Sequence, residues 1–396
     1  MTGLAPRHLD SWLMSPQTCR ELFAHGARAA DLALVEGEFN SSADGQSGGG
    51  QLEPLCQWLD LPRLAVVNVA QIRPCRLPPR PRQVEGLLLD RVDGDAQLAR
   101  LITDLEALWG IPVFGSLESL PRLRSALMAV PRGNRPPQEL CQELGNHFTR
   151  HWHPQRILQM ASRRDWPNAR CWLRCCCQTT TRPLIAIGYD EAFNCYFSDA
   201  LDLLESLGAT IVDFSPLRDE SLPAGTDVVY LGCGHPERYA ATLSENHCMK
   251  AALRSHLRVG RRIYGEGGGA AYLCQHLETP GGQLKRMAGI LPATARLGRE
   301  PAAPAPAEVT LARSNWLGDS GSRLRGYRNS HWRFEPVAPG AGFVGERDHQ
   351  YDLIGSFQAV GSLLHLNFAA QPGFLEQFFR APLGAPAVPD PWTPVT

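Results

Sequence analysis

The sequence predicts two successive α/β domains, each built on a parallel sheet covered by helices. Three observations carry this reading. The chain has 396 residues, too many for one ordinary core and enough for two. Its apolar runs are strand-length and do not alternate, as in Leu184 to Ile187, which is how strands buried on both faces read. These runs also alternate with stretches of helical periodicity, the order that βαβ units produce.

The elements follow in turn. Ser15 to Arg28 reads as a helix, with Leu22 and Phe23 among its apolar positions. Strands are expected over Asp31 to Val35, Leu64 to Val69, Val84 to Leu89 and Ile111 to Phe114. The polar, glycine-rich stretch Asn40 to Gly50 is expected to be a mobile loop. Helical sequence gives way between His151 and Arg182, which places a first domain at 1–150 and a linker at 151–182. A second α/β unit then spans 183–384, and an irregular tail 385–396. In that unit Leu184 to Gly188, Thr210 to Phe214, Val228 to Leu231 and Arg262 to Tyr264 read as strands. Ser198 to Leu207 and Ser244 to Val259 read as helices, and the proline- and alanine-rich Ala302 to Ala307 as a surface excursion.

Composition excludes several partners. The formal net charge is −1 with basic and acidic residues interspersed, so nucleic acid and anionic membrane are not expected. No apolar run approaches the ~20 residues that span a bilayer, and the N-terminus lacks the apolar core of a signal peptide. A cytoplasmic location is therefore expected. The 12 cysteines lack the spacing of a disulfide scaffold. Cys171, Cys175, Cys176 and Cys177 follow His151 and His153, but three adjacent cysteines diverge in direction and do not readily hold one zinc ion. A role as linker or strand-entry residues is preferred, and no metal site is assigned. Among 39 basic residues only Lys250 and Lys285 are lysines, and neither follows a glycine-rich loop. A phosphate-binding loop needs such a lysine, followed by serine or threonine.

Four motifs in the second half make the reading specific. They are D-E-A-F-N-C-Y-F from Asp190, F-S-P-L-R-D from Phe214, L-G-C-G-H-P-E from Leu231 and Y-G-E-G-G-G-A-A-Y-L from Tyr264. In that order they resemble the glutamine amidotransferase domain of the cobyrinic (or hydrogenobyrinic) acid a,c-diamide synthases. The first half is similar to the synthetase part of the same enzymes through His8-Leu9-Asp10-Ser11-Trp12, Leu34-Val35-Glu36-Gly37, Gly86 to Arg91 and Ile111 to Gly115. The resemblance implies a truncated P-loop-type parallel sheet domain followed by a class I glutamine amidotransferase-like α/β domain. It also implies a family chemistry in which a cysteine thioester releases ammonia from glutamine. ATP and magnesium then activate a corrin-ring acetate for capture.

By the same resemblance, Gly267 stands at the nucleophile position, and glycine can form no thioester. Gly232, Gly234 and Gly268 mark the oxyanion turn, and His365 keeps the position of the base. The family's second histidine on that strand is Asn367, and Gly326 to Trp332 retains at most one histidine. A neighbouring thiol, Cys233 or Cys274 on the following helix, is the functional alternative, but displaced sulfur spoils attack geometry, so two packed cysteines are preferred. Glu36, Asp44 and Asp90 are the remnant of the nucleotide and magnesium site. The expectation is a pseudoenzyme without cofactor that binds a tetrapyrrole acid, with the arginines of Arg73 to Arg82 or Arg323 to Arg333 as candidates, or a protein partner. The alternatives are an N-terminally truncated or ammonia-dependent synthase, and a subunit whose partner supplies the active site.

A ligand at a hundred times its dissociation constant stabilises a native protein by about 2.7 kcal/mol. The 396-residue chain is expected to show no rise in Tm with millimolar magnesium-ATP, and a clear rise would refute the loss of the nucleotide site.

Overall fold

The computed structural model describes residues 6–28, 30–37, 50–72, 80–130, 136–162, 182–298, 304–339, 342–347 and 350–380. The chain divides into two compact units. Met1–Ala5, Phe23–Phe39 and Leu52–Ala169 form the first, and Pro6–Leu22, Asn40–Gln51 and Arg170–Thr396 the second. The division falls inside α1 (Pro16–Ala27).

In the first unit α2 (Leu52–Trp58) precedes three parallel strands, β1 (Leu64–Asn68), β2 (Gly86–Val92) and β3 (Val113–Glu118), ordered β1-β2-β3. Between β2 and β3 runs α3 (Asp95–Trp109), and Gly110 takes the left-handed cap at its end with φ 64°. Leu87 and Leu89 from the middle strand pack with Leu105, Trp109, Ile111 and Val113 to make the core. Three helices follow: α4 (Pro121–Met128), α5 (Gln138–Arg150) and α6 (Pro154–Ala161). The strand expected over Asp31 to Val35 is not one: residues 33–37 have no regular structure, and Leu34 is 87% exposed. An apolar run becomes a strand only where a neighbour accepts its backbone groups, and no described strand pairs with this one. Residues 38–49, Asp44 included, residues 73–79 of the first arginine-rich stretch, and Cys171, Cys175, Cys176 and Cys177 lie outside the described residues, as does the tail after Arg380.

The second unit is built on a ten-stranded mixed sheet. Its parallel half runs β6 (Thr210–Phe214), β4 (Leu184–Gly188), β7 (Val228–Leu231), β9 (Arg262–Glu266) and β18 (Ala359–Ser362). An antiparallel extension continues through β17 (Gln350–Gly355), β16 (Phe343–Arg347), β13 (Ala305–Leu311), β14 (Arg323–Arg328) and β19 (Leu364–His365). A second sheet orders β11 (Leu284–Arg286), β10 (Cys274–Glu278), β12 (Leu291–Leu297) and β15 (Trp332–Pro336), and a short ribbon pairs β5 (Phe193–Cys195) with β8 (Cys233–Gly234). The helices are α7 (Ser198–Ser206), α8 (Ala240–Glu245), α9 (His247–Arg258), α10 (Gly268–Leu273) and α11 (Pro372–Phe379).

Two expectations in this unit are corrected. The helix expected over Ser244 to Val259 breaks at Asn246, because its side chain accepts the Met249 amide at 3.0 Å and caps α9 while donating to Pro216 and Asp219 carbonyls. Ala305 to Ala307 is not an excursion but the start of β13. The buried alternation of Ala307, Val309 and Leu311 outweighs the proline-alanine composition.

The segment before α1 is held to this unit by Asp10. Its Oδ1 accepts the amides of Trp12 at 2.7 Å and Leu13 at 2.8 Å, and its Oδ2 accepts the Tyr327 hydroxyl at 2.5 Å. Trp12 packs edge-on against the Tyr327 ring, and Arg7 and the His8 amide both reach Asp199. Asp10→Ala leaves three donors without their acceptor in a buried place, and should cost about 2–3 kcal/mol in urea unfolding. A loss within experimental error would show that the carboxylate holds nothing.

Candidate functional site

The four sequence motifs meet at the C-terminal edge of the parallel strands, and their polar residues explain why. Asp190 follows β4. Its Oδ1 accepts the amides of Ala192 at 2.8 Å and Phe193 at 3.1 Å, while Oδ2 accepts Ser215 Oγ at 2.9 Å and the Leu217 amide at 3.0 Å. One buried carboxylate thus ties the first motif to the second. Tyr196 donates its hydroxyl proton to the Gly188 carbonyl and accepts the Gly232 amide at 2.9 Å, tying the first to the third.

The fourth motif forms the elbow. β9 ends at Glu266, Gly267 turns the chain with φ 49° and ψ −108°, and α10 begins at Gly268. Residues with a Cβ rarely adopt that turn. The turn is seated by the Gly267 amide on the Ser362 carbonyl at 2.8 Å and by the Gly269 amide on the Gly232 carbonyl at 3.0 Å. A Cβ on Gly269 would lie 2.2 Å from the Leu231 carbonyl oxygen, so the two loops touch backbone to backbone. The elbow keeps its shape with no side chain at its apex.

The apex is nevertheless filled. Cys233 Sγ lies 2.8 Å from where a Cβ on Gly267 would stand and 3.1 Å from His365 Nδ1. The Gly268 amide lies near enough to the same sulfur to favour its charged form. The sequence argument sets Cys233 apart from the attack position; the folded loop brings its sulfur to the elbow. Cys274 is different. It opens β10, not a helix, and its buried thiol donates to the Ala270 carbonyl at 3.4 Å.

Of the turn glycines, Gly268 therefore presents its amide to sulfur, and Gly232 has given its amide to Tyr196. Gly234 is packed so tightly against the Ala192 carbonyl, 1.9 Å from a would-be Cβ, that no side chain fits. Asn367 caps the Phe368–Ala370 turn through its side chain.

His365 is oriented by Asn329. The Asn329 carbonyl oxygen accepts the His331 amide at 2.8 Å, which turns its NH₂ toward His365 Nε2 at 3.3 Å. A donor at Nε2 makes that nitrogen the acceptor, so the neutral ring carries its proton on Nδ1. Nδ1 is the nitrogen nearest the sulfur, and there it can donate but not accept. Burial pushes His365 down to about 4. Burial and then the Glu266 charge push the Cys233 thiol well above its ordinary value, against the Gly268 amide. Burial also raises Glu266 to about 7, although Tyr264, the Leu366 amide and Tyr230 hydrogen-bond it. Its nearest oxygen is 3.9 Å from His365 Nδ1. Both shifts favour the neutral forms of thiol and imidazole.

A second cluster, missed in the sequence, borders this one. His235 and Glu237 stand two residues apart in G-H-P-E, and His331 comes from the turn between β14 and β15. The spacing His-x-Glu was the available signal; the third member is distant in sequence.

Of the three residues expected as a nucleotide remnant, Asp90 and Glu36 are among the described residues. Asp90 is hydrogen-bonded and ion-paired to Arg124, and Glu36 is an exposed carboxylate. Neither belongs to a cluster of metal-ligating groups among the described residues. As placed, Asp90 and Glu36 do not form a magnesium site with each other. The arginines of β14 and β15 are also engaged: Arg323 and Arg325 with Glu308, Arg328 with Asp352 and Arg333 with Glu335.

Parallel strands leading into a glycine elbow at Gly267, with a histidine on the sheet beyond, define an amidotransferase-type α/β domain. Residues 184–370 match the family model of the CobB/CobQ-like glutamine amidotransferase domain. The cobyrinate a,c-diamide synthase of Syntrophotalea carbinolica is 31% identical across 94% of this chain and 85% of its own length. That of Dehalococcoides mccartyi is 28% identical across 96% and 87%. A solved glutamine amidotransferase covers 49% of this chain and 98% of its own at 14% identity, with a TM-score of 0.38. The chain belongs to the cobyrinate a,c-diamide synthase family.

The pH dependence of stability follows from the buried Glu266 and the partly buried His365. Glu266 has a raised folded pKa, so its contribution is present below the ordinary carboxylate range and is lost as pH rises toward about 7. His365 has a lowered one, so stability is lost as pH falls from its ordinary value toward about 4. The two slopes oppose in the wild type. Glu266→Gln should expose the histidine slope, with stability falling as pH drops below 6.5. His365→Gln should expose the opposite one. Equal pH profiles for both variants in urea titrations would contradict the assignment.

Proposed function

We propose that this protein serves cobalamin-type tetrapyrrole amidation as a binding or scaffolding member of its family, without hydrolysing glutamine. The relatives are named for action on cobyrinate, which supports a corrin carboxylic acid as the ligand class. The observation that carries the reading is the sulfur of Cys233 at the apex of the elbow, 2.8 Å from where the nucleophile's Cβ would begin.

Amide hydrolysis at such a site needs three things: a thiolate, a base to generate it and a donor for the developing oxyanion. Here the elbow carries no thiol of its own. The Gly268 amide, placed to receive an oxyanion, is directed at the Cys233 sulfur instead. His365 faces that sulfur with an N–H. Each requirement fails for a separate reason, and the shape of the turn survives all three failures.

The competing reading, that Cys233 itself attacks glutamine, is favoured by its 3.1 Å contact with His365. One assay separates them. Purified protein with glutamine should release no glutamate above blank, and Gly267→Cys alone should stay silent because its Cβ meets the Cys233 sulfur. Pairing Gly267→Cys with Cys233→Gly removes that clash but leaves the His365 N–H facing the new sulfur, so it too should release no glutamate above blank. Glutamate release by the wild type that Cys233→Ala abolishes would establish the competing reading.

A further inference from the structure

We propose that His235, Glu237 and His331 form a binding site for a divalent transition-metal cation of the zinc type. Glu237 lies in the short Pro236–Tyr239 turn with 4% of its side chain exposed. Its Oε1 is 3.0 Å from His235 Nδ1 and 3.3 Å from His331 Nε2. Its Oε2 is buried and has no hydrogen-bond partner among the described residues. A buried carboxylate oxygen without a donor is costly, and a cation is one group that satisfies it.

Two imidazoles and a carboxylate are the donor set that suits zinc and its neighbours in the transition series. One ligand atom from each residue lies within 4.8 Å of the others, close enough for one ion to touch all three. The rings stand at 88° with centroids 5.6 Å apart, edge to face and not stacked.

The backbone holds both histidines from outside the cluster. His235 donates its amide to the Ala192 carbonyl at 3.0 Å. His331 donates its amide to Asn329 Oδ1, and its carbonyl accepts the Gly298 amide at 2.8 Å. The side chains of His235 and His331 are 47% and 39% exposed, so the ion is reached from solvent. Three protein ligands leave a position for water or an exogenous carboxylate. This site is separate from the Cys233–Glu266–His365 group and uses no sulfur, and the difference is spectroscopically visible.

The test is zinc titration of the chelator-treated full chain by calorimetry, with cobalt(II) as the optical probe. One zinc should bind per site. Loss of a single ligand should weaken it by at least about tenfold, since removal of an outer-shell partner alone costs about 10- to 100-fold. His235→Ala and His331→Ala should both show this loss with unchanged melting in chelator, and Cys233→Ser should bind as the wild type does. The cobalt complex should show ligand-field bands without a thiolate charge-transfer band. Absence of zinc uptake, uptake that survives both histidine substitutions, or a charge-transfer band removed by Cys233→Ser would each overturn the assignment.

Discussion

The second unit depends on how closely two stretches of backbone approach each other at the end of the parallel strands. Residues 231 to 234 and 267 to 269 meet through main-chain atoms: the Gly269 amide reaches the Gly232 carbonyl, and a Cβ on Gly268 would lie 2.7 Å from the Gly234 carbonyl oxygen. Glycine is required there for space, and at Gly267 for a positive φ as well. Asp190 and Tyr196 hold the flanking loops against this seam with buried hydrogen bonds. The seam itself is main-chain packing, with the Cys233 sulfur and the Tyr196 hydroxyl at its margin.

What the seam leaves above the elbow is a small buried space, and its contents set the electrostatics. A sulfur, an imidazole and a carboxylate share it, with His365 Nδ1 3.1 Å from Cys233 and 3.9 Å from Glu266. Desolvation drives each toward its neutral form, lowering the histidine and raising the other two. A thiolate–imidazolium pair would need a polar, partly open surrounding to offset that cost. Asn329 settles the remaining freedom, because its carbonyl is committed to His331 and its NH₂ must therefore point at His365.

Much of the fold was legible because the parallel strands are short apolar runs with no alternative. Leu184 to Gly188, Thr210 to Phe214 and Val228 to Leu231 begin and end where the apolar pattern does. Asn246 was not legible as a break, since its capping depends on carbonyls of Pro216 and Asp219 that only the fold brings near. At the site, motif order led to Gly267 and His365, and the fold places the one at the turn after β9 and the other on β19. The place of Cys233 was not legible, because proximity across two loops is set by the glycine seam and not by spacing along the chain. His331 was invisible for the same reason, ninety-four residues from Glu237 and on another sheet connection.

The difference between a thiol on the elbow and a thiol beside it is physical and can be stated for these residues. A nucleophile needs its sulfur at one place and its oxyanion donor at another, with a base that presents a lone pair. Carried by residue 233, the sulfur approaches from the opposite loop and takes the direction of the Gly268 amide. On the reading proposed above, that amide is engaged by the attacking atom and is not free for the charge that attack would create. The loop that supplies it decides whether the amides of the turn are free for the oxyanion, and in this chain the loop is the one between β7 and the Pro236–Tyr239 turn.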